Sequence, residues 1–341
     1  MSEIKGKIKN PVKLAVACLL ALFFASVLCV IVPVRPFSEE KTNVQINYGS
    51  GIRAISRELK KAGVIRNRFV FRAYSIITNN TTKLKAGEYE FSYKESIAGI
   101  MDRMAKGDVI KHPITVTEGM DVSEIAAALA EKSMADPARF MALCRDSEFL
   151  KKTGIPRNNA EGFLFPDTYG FVKGETEERM IAAMFARFKQ KVTLDIDKTY
   201  IINGYKITGY GILKLASIIE KEARLDTERP LVASVFYNRL KSEEAYLQRL
   251  ESCATVRYAK NKKTGALLYK DLKFNSPYNT YITIGLPPGP ICNPGIKSIE
   301  AAMAPAQTNY RYFVVSSDGA HTFSSTLEQH NAAKQIYKEN K

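Results

Sequence analysis

The stretch GILKLASIIEKEA, residues 211–223, has apolar residues at helical spacing and ends in charged residues. This periodicity predicts a helix that packs one face against a core. The apolar face consists of Ile212, Leu215, Ala216, Ile219 and Ala223. Glu220 follows at the margin of that face. Loss of hydration there disfavours the charged form of a carboxyl and raises its pKa, as a general acid needs near pH 7. The same pattern also fits a solvated Glu220 paired with Arg224, and Glu222 points well away from Glu220.

Further along the chain, residues 275–295 (NSPYNTYITIGLPPGPICNPG) are rich in Pro and Gly. Pro fixes φ and cannot donate a backbone hydrogen bond, while Gly permits turns that other residues resist. The run therefore predicts a rigid, irregular wall that displays Tyr, Asn and Thr side chains together with backbone polar groups. Sugars bind such surfaces through ring stacking and hydrogen bonds. A purely structural loop over the core is the alternative.

Upstream, residues 44–110 are typical of a small αβ module. VQINY at 44–48 and GEYEFSY at 87–93 alternate in polarity, which predicts two strands. Ser50 and Ser96 are each expected to cap a helix, and the second helix carries Ile97, Ile100, Met101 and Met104 on its buried face. The combination of strand, tight turn and helix loosely resembles a LysM-type glycan-binding module.

The N-terminus contains LAVACLLALFFASVLCVIV, nineteen uncharged residues at 14–32. A helix of this length spans the ~30 Å hydrocarbon core of a bilayer. A cleaved signal peptide is the alternative, but its apolar segment would be shorter and would end at a small-residue site. Four lysines precede the run, so the positive-inside rule predicts a cytoplasmic tail at 1–13, a transmembrane helix at 14–34 and the remainder of the chain outside.

Composition narrows the class of protein further. The chain has 341 residues and a formal net charge of +15, but its basic residues are spread along the sequence rather than clustered with aromatics. This distribution favours a generally cationic surface over a nucleic-acid site. Five cysteines and three histidines show no metal-ligand spacing and no disulfide framework, so we expect neither a metal nor another cofactor.

Several motifs together carry a resemblance to a known family. They are LASIIEKE at 215–222, VASVFYNRL at 232–240, YNTY at 278–281, GLPPGPI at 285–291 and HTF at 321–323, preceded by EGFLFPDTY at 161–169. In this order and spacing the chain resembles the YceG-like family. The resemblance implies an α+β fold with an N-terminal transmembrane helix, a small LysM-like αβ module at 44–110 and a larger mixed α+β catalytic domain at 111–341.

The resemblance also implies an activity, the endolytic cleavage of peptidoglycan glycan strands by lytic transglycosylation. The family's catalytic glutamate, taken as the first Glu of the EKE motif, corresponds to Glu220. This single carboxyl would act first as acid and then as base, giving 1,6-anhydroMurNAc ends. The expected residues of the substrate groove are Asn238, Ser252, Thr255, Tyr278, Asn279 and Tyr281. Expected partners are glycan strands, membrane lipid around the anchor and peptidoglycan synthases, with no nucleic acid.

One strip departs from the family pattern. Where many members have an Asp-Pro pair, this chain has Cys253 and Ala254 within LESCATV at 250–256. Ser252 and Thr255 keep the family pattern on either side of this pair. The alternative function is a catalytically inactive, membrane-tethered scaffold that binds glycan and recruits wall-synthesis partners.

Overall fold

A computed structural model describes residues 11–316 and 319–339. The chain is a mixed α+β protein, and its α carbons divide into two compact units. The N-terminal unit comprises the chain up to His112 together with residues 170–175, and the C-terminal unit comprises the rest. The α+β class predicted from the sequence is confirmed. The predicted tail at 1–13 lies mostly outside the described residues.

The N-terminal unit contains six regular elements. They are α1 (Pro11–Ile31), β1 (Lys41–Ile46), α2 (Ile52–Lys61), α3 (Arg68–Ile77), β2 (Gly87–Ser92) and α4 (Ile97–Lys106). β1 and β2 pair antiparallel from Lys41 opposite Ser92 to Ile46 opposite Gly87. Their inward residues, which include Tyr89 and Phe91, pack with the buried faces of α2, α3 and α4 around one core. The LysM-like identity of this unit stays a prediction.

The two predicted helix caps have different outcomes. Ser96 caps α4 as expected, because its side chain accepts a hydrogen bond from the Gly99 amide. The cap predicted at Ser50 is wrong, since α2 follows Gly51 and has no side-chain cap. The N-terminal helix contains a segment, Val12–Ile31, of 20 residues and mean hydropathy 3.0, which is long and apolar enough to cross a membrane.

The C-terminal unit is built mainly from helices with short strand pairs. Its elements are β3 (His112–Val116), α5 (Val122–Glu131), α6 (Pro137–Leu143), α7 (Ser147–Thr153), β4 (Asp167–Phe171), α8 (Glu177–Lys191), β5 (Thr199–Ile202), β6 (Tyr205–Thr208), α9 (Gly209–Glu222), α10 (Arg229–Leu240), α11 (Cys253–Ala259), α12 (Ile296–Met303), β7 (Tyr312–Val315), β8 (His321–Ser324) and α13 (Leu327–Glu339). The sheets among the described residues are two-stranded pairs: β3 with β4, β5 with β6 and β7 with β8.

Helix α9 is the central helix of this unit and packs against α10 and α12. The predicted apolar face is buried, but Leu213 and Ile218 on the other side are buried as well. The helix is therefore buried over most of its circumference, and the exposed side is the one that carries Lys221. It starts at Gly209, where a Cβ would lie 1.9 Å from the Asp195 carbonyl oxygen, so only glycine fits there.

The Pro- and Gly-rich run at 275–295 is irregular, as predicted, and its C-terminal part is held against α9. The Ile291 amide donates to Ser217 Oγ at 3.0 Å, and the Cys292 thiol contacts the Ser217 carbonyl oxygen at 3.3 Å. Asn293 continues this attachment, because its side chain accepts from the Leu164 amide at 2.9 Å and donates to the Met120 carbonyl at 3.0 Å. The run therefore fixes the surroundings of α9 from one side.

Candidate active site

A carboxyl group lies at the C-terminal end of α9. Glu222 is the last residue of that helix, and its side chain accepts a hydrogen bond from Ser252 Oγ. Desolvation by burial raises the pKa of Glu222, while hydrogen bonds from Ser252 and the Ala254 backbone and the charge of His321 oppose this rise. The partial negative charge at a helix C-terminus also disfavours an anion there. The position thus favours a carboxyl that holds a proton.

Glu222 lines a cavity of about 360 Å³. Ser252, Cys253, Tyr281 and His321 line the same cavity, together with aromatic and basic side chains that include Phe236, Arg239, Arg311 and Tyr312. Small-molecule sites commonly have this size and combine apolar walls with a few convergent polar groups. A sugar ring could therefore meet aromatic faces, cationic groups and one enclosed carboxyl in a single cavity.

The turn that carries Ser252 is held by two buried threonines. The Ser252 amide donates to Thr280 Oγ1 at 3.0 Å, and the Thr255 hydroxyl donates to the Ser252 carbonyl at 2.7 Å. The two threonine hydroxyls lie 2.9 Å apart. Glu251 in the same turn has φ of 53°, a left-handed conformation that is unfavourable for a residue with a Cβ. The strain is local to the residue that precedes Ser252.

A histidine and a glutamate form a buried pair beside this cavity. Glu228 Oε2 lies 2.6 Å from His321 Nδ1, and Glu228 Oε1 accepts from the His321 amide at 2.8 Å. The imidazole is 2% exposed, and its edge packs against Phe313. A carboxylate on one ring nitrogen fixes the orientation of the imidazole and leaves the other nitrogen for a different contact. Glu228 therefore orients His321 at the cavity wall.

Glu220 has different surroundings from those that the sequence suggested. Its Oε1 lies 3.2 Å from the Arg229 guanidinium, and its Oε2 accepts from the Gly295 amide at 2.9 Å and from Ser298 Oγ at 2.8 Å. The side chains of Glu220 and Arg229 are 6% and 8% exposed. The expectation of a carboxyl beside apolar neighbours is corrected: both Glu220 oxygens have polar partners, and the side chain belongs to a buried ion pair.

A third glutamate lies near this ion pair. Glu118 is partly buried, and burial raises its pKa, with a further contribution from the negative charge of Glu220. Arg229 opposes this rise. The Arg229 guanidinium therefore interacts electrostatically with two neighbouring carboxyl groups, Glu118 and Glu220.

The predicted groove residues fall into two groups. Ser252 and Tyr281 line the cavity with Glu222, whereas the structure corrects the substrate contacts expected of Thr255 and Asn279. Both are fully buried, since Thr255 supports the Ser252 turn and Asn279 donates its side-chain amide to the carbonyls of Leu272 and Phe274. Their hydrogen-bonding groups are used within the protein.

Two further predicted residues lie apart from Glu222. Tyr278 packs its ring against Tyr258 at a centroid distance of 5.1 Å. Asn238 donates its side-chain amide to the carbonyls of Thr308 and Tyr310, and it lines a separate cavity of about 660 Å³. The structure thus does not bring either side chain together with Ser252 and Tyr281.

Glu222, Glu228 and His321, which line or adjoin the cavity, were not predicted from the sequence as site residues. Glu222 lies in the EKE motif and His321 in the HTF motif, so both were within the quoted patterns. A signal for Glu222 was available, because a two-residue step turns about 200° around a helix and places the two glutamates on different sides. Cys253, at the departure from the family pattern, has its sulfur 3.1 Å from the Tyr281 hydroxyl.

The chain is similar to known proteins over most of its length. It is 36% identical over 323 residues to the endolytic murein transglycosylase of Bacillus subtilis (strain 168), covering 89% of this chain and 87% of that protein. It is 28% identical over 333 residues to the endolytic murein transglycosylase of Streptococcus pneumoniae (strain ATCC BAA-255 / R6), covering 88% of this chain and 59% of that longer protein.

A solved structure agrees with these similarities. The 2.6 Å crystal structure of a YceG-like protein from Listeria monocytogenes matches with a TM-score of 0.55 and 33% identity, over 86% of this chain and 99% of that chain. The sequence pattern of the YceG-like family matches residues 44–336. This match includes both glutamates of α9 and every residue of the cavity around Glu222, and the chain therefore belongs to the YceG-like family.

Proposed function

We propose that this protein is a membrane-anchored, endolytic lytic transglycosylase that cleaves the MurNAc–GlcNAc bond within peptidoglycan strands. The family match and the names of the relatives support the reaction class. The observation that carries the proposal is an enclosed carboxyl, Glu222, in a sugar-sized cavity with aromatic and cationic walls. The apolar helix α1 supports the anchor, with the two units on the outer side of the cytoplasmic membrane.

In this proposal Glu222 is both the acid and the base. Protonated Glu222 donates its proton to the glycosidic oxygen as the bond between that oxygen and MurNAc C1 breaks. The MurNAc acetamido group stabilises the positive charge that develops at C1. The Glu222 carboxylate then takes the proton of the C6 hydroxyl, whose oxygen bonds to C1. The products are a 1,6-anhydroMurNAc end and a free GlcNAc hydroxyl, and no water is consumed.

A single carboxyl suffices because the attacking hydroxyl belongs to the sugar that reacts. Tethering replaces the second carboxylate that hydrolysing glycosidases use to activate water. The Ser252 hydroxyl stabilises the Glu222 anion after the first proton transfer, and the raised pKa of Glu222 keeps the proton available before it. His321 adds a neighbouring group whose charge lowers the pKa of Glu222.

The choice between the two glutamates of α9 rests on their partners. A general acid must carry a proton before reaction, and desolvation beside the cavity favours that form at Glu222. The oxygens of Glu220 are instead already bound by a guanidinium, a hydroxyl and a backbone amide of the protein. We therefore place the proton chemistry at Glu222 and give Glu220 the task of holding α9, α10 and α12 together.

Matched amide variants test this assignment. Full-length protein in detergent is incubated with purified glycan strands, and mass spectrometry measures anhydro-ended fragments. We expect Glu222→Gln to lower the rate by about 10²–10⁴, the usual contribution of a positioned acid–base group, while Glu220→Gln cleaves normally per folded molecule. An active Glu222→Gln protein would overturn the assignment. Binding of strands by the unaltered protein without any anhydro product would instead favour the inactive scaffold.

A further inference from the structure

Helix α3 presents an apolar face that the N-terminal unit does not cover. Phe69, Ile76 and Ile77 are 61%, 67% and 81% exposed, although the helix has only ten residues. Phe71 and Ser75 on the opposite side are buried in the core. Large exposed apolar groups on one helix mark an interaction surface when they are contiguous.

This face continues into the anchor helix. A groove of about 630 Å³ runs between the last turns of α1 and the outer face of α3. Its lining is almost wholly apolar and includes Val27, Val30 and Ile31 from α1 with Val70, Ala73 and Ile77 from α3. Because α1 is the membrane-spanning segment in the proposed function, the α3 face lies where that segment leaves the hydrocarbon core.

The exit of α1 is attached to the folded unit, so α3 stays beside it. Arg66, just before α3, donates to the carbonyls of Pro33 and Val34 at 2.7 and 3.3 Å. The Arg35 amide donates to the Tyr93 carbonyl at 3.1 Å, and the Arg35 guanidinium lies 4.7 Å from the centre of the Tyr93 ring. These contacts fix the chain within a few residues of the end of α1.

Basic side chains flank the apolar face. The guanidinium groups of Arg68 and Arg72 lie 5.0 and 5.6 Å from the centre of the Phe69 ring. Arg53 and Arg57 are exposed on the adjacent helix α2, which packs against α3. An aromatic ring between guanidiniums, above an aliphatic patch, has the chemistry of helices that lie in a bilayer interface among anionic headgroups.

We propose that α3 is a membrane-interface helix, seated in the outer leaflet beside α1, with Phe69 and Ile77 in the acyl boundary and Arg68 and Arg72 at lipid phosphates. The occupant of the groove is therefore lipid. This proposal rests on the anchoring part of the proposed function and is independent of the catalytic part. It fixes the N-terminal unit at the membrane surface through two helices instead of one.

The chain contains no tryptophan, which allows a direct depth measurement. Phe69→Trp and Ile77→Trp are made singly in the full chain and reconstituted into phosphatidylcholine–phosphatidylglycerol vesicles with or without brominated acyl chains. Phe24→Trp in α1 reports the anchor, and Ile201→Trp, at an equally exposed position of the C-terminal unit, reports background. Thermal melting of each variant checks that it is folded.

We expect brominated lipid to reduce the fluorescence of both α3 tryptophans roughly twofold or more, as for groups about 5–10 Å into the headgroup–acyl boundary, with little change at Ile201→Trp. In Ile77→Trp, adding Arg68→Glu and Arg72→Glu should weaken the quenching in anionic vesicles.

Quenching at Phe24→Trp with none at either α3 position would overturn the proposal and leave the anchor intact. A lack of quenching at Phe24→Trp would refute the anchor itself. If the fluorescence of the α3 tryptophans is blue-shifted but unquenched and the protein cross-links as a dimer, the face binds a second copy of the chain. That result would refute lipid binding.

Discussion

In the proposed function Glu220 has a structural role, and removal of its ion pair with Arg229 has a calculable effect on stability. Both side chains are less than one tenth exposed, and the pair joins α9 to the start of α10. Breaking a buried pair by removing one charge costs ~3–5 kcal/mol because the other charge is left uncompensated. Arg229 keeps a second partner, since its Nε lies 3.0 Å from the half-exposed carboxylate of Asp226. For Glu220→Gln we therefore expect a loss near the lower end of that range, ~3 kcal/mol.

This free energy converts to a measurable melting temperature. For a domain of ~150–250 residues, each kcal/mol shifts Tm by ~2–4 °C, so a loss of ~3 kcal/mol in Glu220→Gln should lower Tm by roughly 6–12 °C. Circular dichroism of the detergent-solubilised full chain measures the shift. Arg229→Met should also lower Tm, and the double variant should lose less than the sum, with a coupling free energy of ~1–3 kcal/mol.

The activity of the same variants completes the test. Below their melting temperatures, Glu220→Gln molecules should retain kcat/KM within about threefold of the unaltered protein, well inside the ~10²-fold minimum expected for loss of an acid–base group. An unchanged Tm together with lost cleavage would refute the reasoning. That result would return the proton transfer to Glu220, as the sequence pattern first indicated.

Three further perturbations have distinct outcomes. Burial raises the pKa of Glu161 to about 8, so its contribution to stability is fully present below the unfolded pKa of ~4.3 and is lost as pH rises to 8. Glu161→Gln should therefore flatten the fall of Tm between pH 5 and 8, and an unchanged slope would contradict this. Thr255→Val removes the hydroxyl that supports Ser252 and should lower the free energy of unfolding by ~1–3 kcal/mol, measured as a lower Tm. The variant should also have a lower kcat/KM, and unaltered kinetics would show that the turn does not position the site. Removing the charge of His321 in His321→Asn should raise the pKa of Glu222 and move the alkaline limb of the pH–rate profile upward, whereas a downward shift would exclude this coupling.

Periodicity predicted the regular elements where local pattern and burial agree. The apolar face of α9 and the Ser96 cap of α4 each depend on residues within one or two helical turns of each other, so the sequence shows them directly. It did not show that Leu213 and Ile218 on α9 are buried as well, because their burial depends on parts of the chain that are distant in sequence. Tertiary contacts therefore decided the burial of the second face.

The site was predicted less completely for the same reason. The family motifs pointed to the helix that carries the proposed acid, but the surroundings of each glutamate depend on distant partners, Arg229 and Ser298 for Glu220 and Ser252 for Glu222. Asn279 was expected in the groove because Asn suits sugar hydroxyls, yet two backbone carbonyls use its amide. Motifs predicted which segments meet, and hydrogen-bond partners decided which side chains remain available.

The enclosure of α9 has a consequence for how the protein can vary. Glu222 is its last residue, so any axial rotation or slippage of the helix moves the carboxyl, and a step of one residue would turn it by about 100°. Buried contacts over most of the circumference of α9 oppose such movement, so the orientation of the proposed acid is established during folding, before any sugar arrives. Substitutions deep in the interior, far from the cavity, should consequently appear as catalytic defects, and the packing of this domain and its chemistry are constrained to evolve together.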